Sequence, residues 1–156
     1  MLTAHLPSGY VLARNLPGTI PALMPVALIG AMLPDIDMLL FHFVDQKAFH
    51  HHRYWVHIPF FWLVVAGIAL PLAWWLGHAR TATVFFVAIF LHLVLDTIGG
   101  GIMWGAPITD RLYELVTVPP AHGHWIISFL LHWTFMAEVA IWLAALVLWL
   151  RRDRTP

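Results

Sequence analysis

Three pairs of polar side chains interrupt an otherwise apolar chain: Asp35 with Asp37, His52 with His57, and His92 with Asp96. Their types suit metal chelation. The chain has eleven histidines and no cysteine, so a metal would be held by imidazole and carboxylate. Disulfides, iron–sulfur clusters and thiolate chemistry are excluded.

His92 and Asp96 stand four residues apart, hence on one helix face, in a stretch that is otherwise apolar. Either a histidine–aspartate hydrogen bond packing two helices or a bound cation would offset the cost of that aspartate. Pro34 is placed to end one helix and open another. Asp35 and Asp37 then either stabilise the new helix N-terminus, by about 0.3–1 kcal/mol each, or bridge a metal, since two such close carboxylates repel without a cation or proton between them. The run His50-His51-His52-Arg53-Tyr-Trp-Val-His57 fits an interfacial loop, and Arg53 could equally anchor lipid headgroups. His57, however, opens an apolar run where an unpaired ring is expensive, so His52 and His57 are the preferred ligands, with His51 in reserve. His132 and Glu138 lie six apart; Glu138 is an internal hydrogen-bond partner or part of the site's floor, and no catalytic role is assigned to it. His42 and His78 read as interfacial, and His122, His124 and His132 receive no role.

The elements that must carry these groups are membrane helices. Of 156 residues, 61% are hydrophobic and 10% charged, against roughly 25% charged in soluble proteins. A water-soluble domain is excluded. Eight basic and eight acidic residues leave no basic face for nucleic acid. His57–Leu76, Thr81–Ile98 and Trp125–Leu150 are each long and apolar enough to be read as transmembrane helices, the second stopped by Gly99-Gly100-Gly101 and the third by Arg151 and Arg152. Leu2–Ala13 and Ile20–Leu33 are apolar but short, and Asn15-Leu-Pro-Gly18 between them reads as a turn, which predicts an N-terminal helical hairpin. The expected fold is therefore all-α: a polytopic helical bundle of this hairpin plus three transmembrane helices with interfacial loops, residues 1–156 forming a single integral membrane domain. Asp110–Glu114 is expected to be a short amphipathic helix on the outer surface, with Trp104 as part of a lid. Met1–His5 lacks the basic start of a signal peptide, so the N-terminus is expected to stay in the mature protein.

With the tail bearing Arg151, Arg152 and Arg154 in the cytoplasm, alternation puts Arg14 and Arg80 on the same side and Lys47, Arg53 and Arg111 outside, five basic residues against three. Trp74, Trp75 and Trp149 then fall near the inner interface, and Trp55, Trp104 and Trp125 near the outer one. Whichever way the chain is oriented, Asp35 and Asp37, His50–Arg53, and His92 with Asp96 share one leaflet. His122 and His124 join them, and the hairpin returns His5 there too.

Gly30-Ala-Met-Leu-Pro34-Asp35-Ile36-Asp37, then His52-Arg53 with His57, then His92-Leu-Val-Leu-Asp96 followed by glycines and Pro107, resembles the bacterial membrane-bound metal-dependent hydrolases of the YdjM type. The resemblance runs from His5 to about Pro107 and rests on the order of short motifs. A remoter likeness extends to the zinc-dependent phospholipase C and single-strand nuclease group, soluble helical proteins that cleave phosphoesters with a zinc cluster. The chain departs from the family pattern at Tyr54, where glycine usually follows His-Arg, at Val56 and Ile58, where small hydroxyl residues are common, and at Pro7 after His5.

The resemblance implies a metal set of His5, Asp35, Asp37, His52, His57, His92 and Asp96, with Arg53, Asp37 and His51 as candidate catalytic residues and Arg53 pairing with a substrate phosphate. So large a set suits two divalent ions, Zn²⁺ first and Mn²⁺ or Fe²⁺ as alternatives, which bring the pKa of bound water towards about 7. The implied substrate is a membrane lipid whose headgroup reaches the metals, with a phosphoester of a phospholipid or polyprenyl carrier first and a lipid amide or ester second. The expected location is the bacterial inner membrane, with the site on the periplasmic side. Two other classes compete. A transport path needs ionisable groups in both halves of the membrane, and a non-catalytic partner of a regulatory protein needs a larger cytoplasmic surface than this topology offers.

Overall fold

The computed structural model describes residues 3–18, 21–121 and 123–152, with the Trp125 side chain also undescribed. Expectations that touch Met1, Leu2, Ile20, His122, the Trp125 ring and Arg154 lie outside the described residues.

The described chain is all-helical. Helices α1 (His5–Arg14) and α2 (Leu23–Met32) form the expected antiparallel hairpin around the Asn15–Gly18 turn. Contrary to the sequence expectation, the second arm is not short. A 3-10 turn over Leu33–Ile36 joins α2 to α3 (Asp37–Phe43), giving a helical run of 21 residues, Leu23–Phe43, with a mean hydropathy of 1.7. As expected, α2 ends just before Pro34 and the proline opens the tighter turn, where its missing N–H leaves no vacancy; the run continues because Leu33 before it keeps helical torsions (φ −61°, ψ −39°).

After 3-10 turns at His51–Arg53 and Trp55–His57, α4 (Pro59–Trp75) and α5 (Ala79–Asp96) follow as a second hairpin. Pro59 occupies the first turn of α4, where proline fits. At 17 residues α4 is about 26 Å long and is the shortest of the apolar crossings expected from sequence. The expected continuous helix from Trp125 to Leu150 is instead broken into α6 (Trp125–Leu130) and α7 (Thr134–Arg151). At the break His132 Nδ1 lies 2.9 Å from Thr134 Oγ1, and the Thr134 N–H donates to the same nitrogen, so side chains replace the helix ladder locally. Among the described residues three helices are long and apolar enough to cross a membrane, Leu23–Phe43, Ala79–Asp96 and Thr134–Arg151; α4, expected to be a transmembrane helix, is a shorter apolar one because Pro59 rather than His57 starts it.

The expected helix at Asp110–Glu114 is absent. Ile102 and Tyr113 exchange two backbone hydrogen bonds of 2.9 Å, and the N–H groups of Leu115 and Val116 donate to Thr97 and Ile98. These ties extend the segment and fold it back over the end of α5. Trp104 is pinned there by its indole N–H, which donates to Thr97 Oγ1 at 2.7 Å.

In a lipid surround apolar burial drives helix association weakly, so close packing of small residues does most of it. Ala27, Ala31 and Ala88 are fully buried between α1, α2 and α5. At Gly30 a Cβ would stand 2.6 Å from the Phe85 carbonyl oxygen, and at Gly9 one would stand 2.8 Å from that of Ala27. The two ends of the bundle differ in chemistry. At one, Arg80 donates to the Pro17 carbonyl beside the Arg14 turn, and exposed Trp74 and Trp75 end α4. At the other, the polar clusters meet.

Candidate metal centre

Six segments deliver side chains to that end: the start of α1 (His5), the Pro34 turn (Asp35), the start of α3 (Asp37), the two 3-10 turns (His51 and His52, then His57), and the last turns of α5 (His92, Asp96). Apart from Asp35 and His51, all of these residues are buried. The break between the two short turns matters: Tyr54 is extended (φ −69°, ψ 151°), so His52 and His57 belong to separate turns and both face inward, where one continuous helix would point them to different sides.

Asp96 is the hub. Its Oδ2 lies 3.0 Å from His92 Nε2, 3.4 Å from His57 Nε2 and 3.6 Å from His52 Nε2, while Oδ1 lies 3.1 Å from His5 Nε2. The rings of His5 and His92 stack with centroids 3.7 Å apart.

The far nitrogens of three of these rings are anchored. His92 Nδ1 donates to the Ala31 carbonyl at 2.7 Å, and His52 Nδ1 to the carbonyls of Gly100 and Gly101 at 2.9 Å each. His57 Nδ1 meets Asp37 Oδ2 at 2.5 Å. Carbonyl and carboxylate oxygens only accept, so each Nδ1 carries a proton and each Nε2 points inward, where a neutral ring offers its lone pair. Against burial, which lowers it, the Asp37 and Asp96 carboxylates raise His57 to about 9, so without a cation beside it this ring keeps a second proton. Burial pushes the His52 imidazole down to about 3, against the opposing pull of Asp96, so this ring is neutral at pH 7. Gly100 permits the arrangement: a Cβ there would stand 2.5 Å from His52 Cε1.

Among the described residues three overlapping triads could each hold a metal ion: His5, His92 and Asp96; Asp35, His57 and His92; and His51, His52 and His57. Asp37 belongs to none of them. It buttresses His57 through Oδ2, while Oδ1, buried and without a hydrogen-bond partner, lies 3.8 Å from His51 Nδ1. His51, the reserve ligand of the sequence reading, thus stands inside the cluster. Arg53 stands outside it, with its guanidinium 3.6 Å from Asp110.

A cavity of about 820 Å³ opens onto the cluster, lined on the polar side by Asp35, His51, His52 and Asp96 together with Lys47. Val118, Pro119, Pro120 and Phe129 form an apolar wall. Sequence reasoning gave Lys47 no place here. Nor could it assign the anchoring carbonyls of Ala31, Gly100 and Gly101, since a backbone carbonyl has no residue type. Of the remaining histidines, His42 lines the cavity, with Nδ1 2.9 Å from the Met38 carbonyl, and His124 accepts from the Ile126 N–H at the start of α6.

Glu138 on α7 is fully buried and accepts from the Thr3 N–H at 2.8 Å and from Thr3 Oγ1 at 2.6 Å. The Trp142 indole donates to the same hydroxyl at 3.2 Å. Thr3 is two residues from His5, so α7 reaches the cluster through this latch.

Fold and site together define an all-helical membrane protein with a buried histidine–aspartate centre able to hold metal. The YdjM inner membrane protein family model matches residues 1–153, and the chain belongs to that family. No curated protein and no solved structure matches it.

Proposed function

We propose that this protein is a metal-dependent hydrolase of the inner membrane that cleaves a phosphoester of a lipid headgroup, a phospholipid or a polyprenyl carrier. The supporting observation is the convergence of the His52, His57 and His92 Nε2 atoms on Asp96 Oδ2, within 3.6 Å, while an oxygen acceptor holds every Nδ1. Even with a second proton on His57, the His52 and His92 nitrogens and the Asp96 oxygen leave more acceptors than protons at that point, a deficit a metal ion would fill. Because His57 and His92 each belong to two triads, the set favours two adjacent ions over one. Its nitrogen and oxygen donors suit Zn²⁺, with Mn²⁺ or Fe²⁺ as alternatives.

Ions held there supply water activation near neutral pH and charge neutralisation at a phosphoryl oxygen. The chain's own residues do the rest. Asp96, His92 and His5 make one ligand group, and Asp35 with His57 extends it. Asp37 sets the His57 tautomer. His51, half-buried on the cavity wall, is placed to carry a proton between the site and solvent. The apolar wall of Val118, Pro119, Pro120 and Phe129 lets lipid tails stay in the bilayer while the headgroup enters. The basic residues at the opposite end favour a periplasmic position for the cluster.

Elemental analysis of purified protein tests this reading, with near-stoichiometric Zn, Mn or Fe expected. Asp35→Ala and Asp96→Ala should each lose metal and activity while His78→Ala keeps both. A metal-free preparation with intact helices, or equal behaviour of all three variants, overturns it.

A further inference from the structure

We propose that Lys47 is the headgroup-binding cation of the cavity and that its ligand is a phosphate-bearing anion, a role that rests on the hydrolase reading above and passes from Arg53 to Lys47. Two placements separate these residues. Arg53 does not line the cavity and sits 3.6 Å from Asp110, whereas Lys47 shares the cavity wall with Asp35, His51, His52 and Asp96. An ammonium on that wall offers a compact positive charge to a phosphate oxygen that the metal-binding groups leave uncovered.

The backbone around Lys47 is built for a fixed position. Gln46 (φ 48°) and Lys47 (φ 66°) both occupy the left-handed region, which side chains other than glycine rarely adopt. The Lys47 N–H donates to the Phe41 carbonyl at 2.8 Å, and the Ala48 N–H to that of Asp45 at 2.9 Å. Tyr54, from the segment between the histidine turns, donates its hydroxyl proton to the Asp45 carboxylate. The loop is therefore tied to the same turns that carry His52 and His57. Strain held in place by its surroundings points to a positional role for the residue that bears it.

Depth agrees with this assignment. Phe43, Val44 and Phe49 flank Lys47 in the chain and are 81%, 66% and 42% exposed, which suits a loop dipping into the interface. Aromatic and aliphatic side chains there bring the lysine to the level of lipid phosphates, its stem against the apolar boundary and its ammonium in the polar layer.

The test measures equilibrium binding of two probes, inorganic phosphate and phosphatidic acid, to the metal-loaded full chain in micelles of an uncharged detergent. Proteins compared are wild type, Lys47→Gln, Lys47→Arg and Arg53→Gln, with metal content recorded for each. Lys47→Gln should weaken binding about tenfold or more, the loss expected for one charge-assisted hydrogen bond. Lys47→Arg should largely restore it, and Arg53→Gln should bind as wild type. Lys47 dependence with both probes assigns the site to phosphate itself. Dependence with phosphatidic acid alone assigns it to a lipid headgroup held with its tails, and either result supports the role. Unchanged binding in metal-loaded Lys47→Gln, or a loss confined to Arg53→Gln, overturns it while leaving the hydrolase reading standing. A wild-type chain that takes up no metal instead removes the reading on which the role rests.

Discussion

His57 Nε2 and His92 Nε2 face each other at 3.2 Å, although each ring is held from behind at Nδ1, by Asp37 and by the Ala31 carbonyl respectively. Two neutral rings in that arrangement direct lone pairs at one another, so a proton or a cation must lie between them. The choice between these two occupants decides most of the chemistry, and several substitutions discriminate them.

Asp37→Asn leaves every residue of the three triads in place but removes the carboxylate that orients His57. Loss of such a buttress costs about 10- to 100-fold in metal affinity. The expected result is weaker metal retention in a chelator competition, with the helix content of wild type. Retention equal to wild type would show that Asp37 does not govern His57.

Glu138→Ala removes the acceptor of both Thr3 hydrogen bonds, and the expected consequence is a shifted His5. Metal affinity should fall about tenfold, the order found for supporting residues. With Co²⁺ in the site, the visible absorption spectrum should change. Glu138→Gln, whose amide oxygen can still accept, should recover most of both. A spectrum unchanged in Glu138→Ala would separate α7 from the centre.

Gly30→Ala tests whether helix approach positions the site. The new methyl would stand 2.6 Å from the Phe85 carbonyl oxygen, so α2 must move away from α5. Ala31, the next residue, holds His92, and its displacement should lower thermal stability and metal content together. Gly67→Ala is the control, because nothing lies within 4 Å of that position. Equal behaviour of the two variants would contradict the packing argument.

Membrane orientation is read by single cysteines. Lys47→Cys should react with an impermeant maleimide added to intact cells, and Ala79→Cys should react only after the membrane is opened. The reverse pattern places the centre on the cytoplasmic side.

Residue order alone is enough to read the helical class, the hairpin at the N-terminus and the identity of the polar residues that meet. Those follow from local rules: apolar runs of span length, a turn at Asn15–Gly18, and polar groups too costly to stand alone among lipids. It misplaced helix boundaries where local and tertiary forces compete. Pro34 ends α2 and opens the next turn as expected, yet that 3-10 turn carries the helical run on into α3, making the second arm longer than its apolar stretch. His132 and Thr134 interrupt what hydropathy alone treats as one helix. Asp110–Glu114 has the composition of a surface helix, but backbone pairing between Ile102 and Tyr113 makes the segment extended. Which nitrogen of His52 and His92 faces inward is set by the folded chain, because the partners that settle it at Ala31, Gly100 and Gly101 are backbone carbonyls from distant segments. The fold likewise turned Arg53 towards Asp110 and placed Lys47 on the cavity. A side chain's direction depends on the torsions of its own turn and on what packs behind it, and neither is written in residue type.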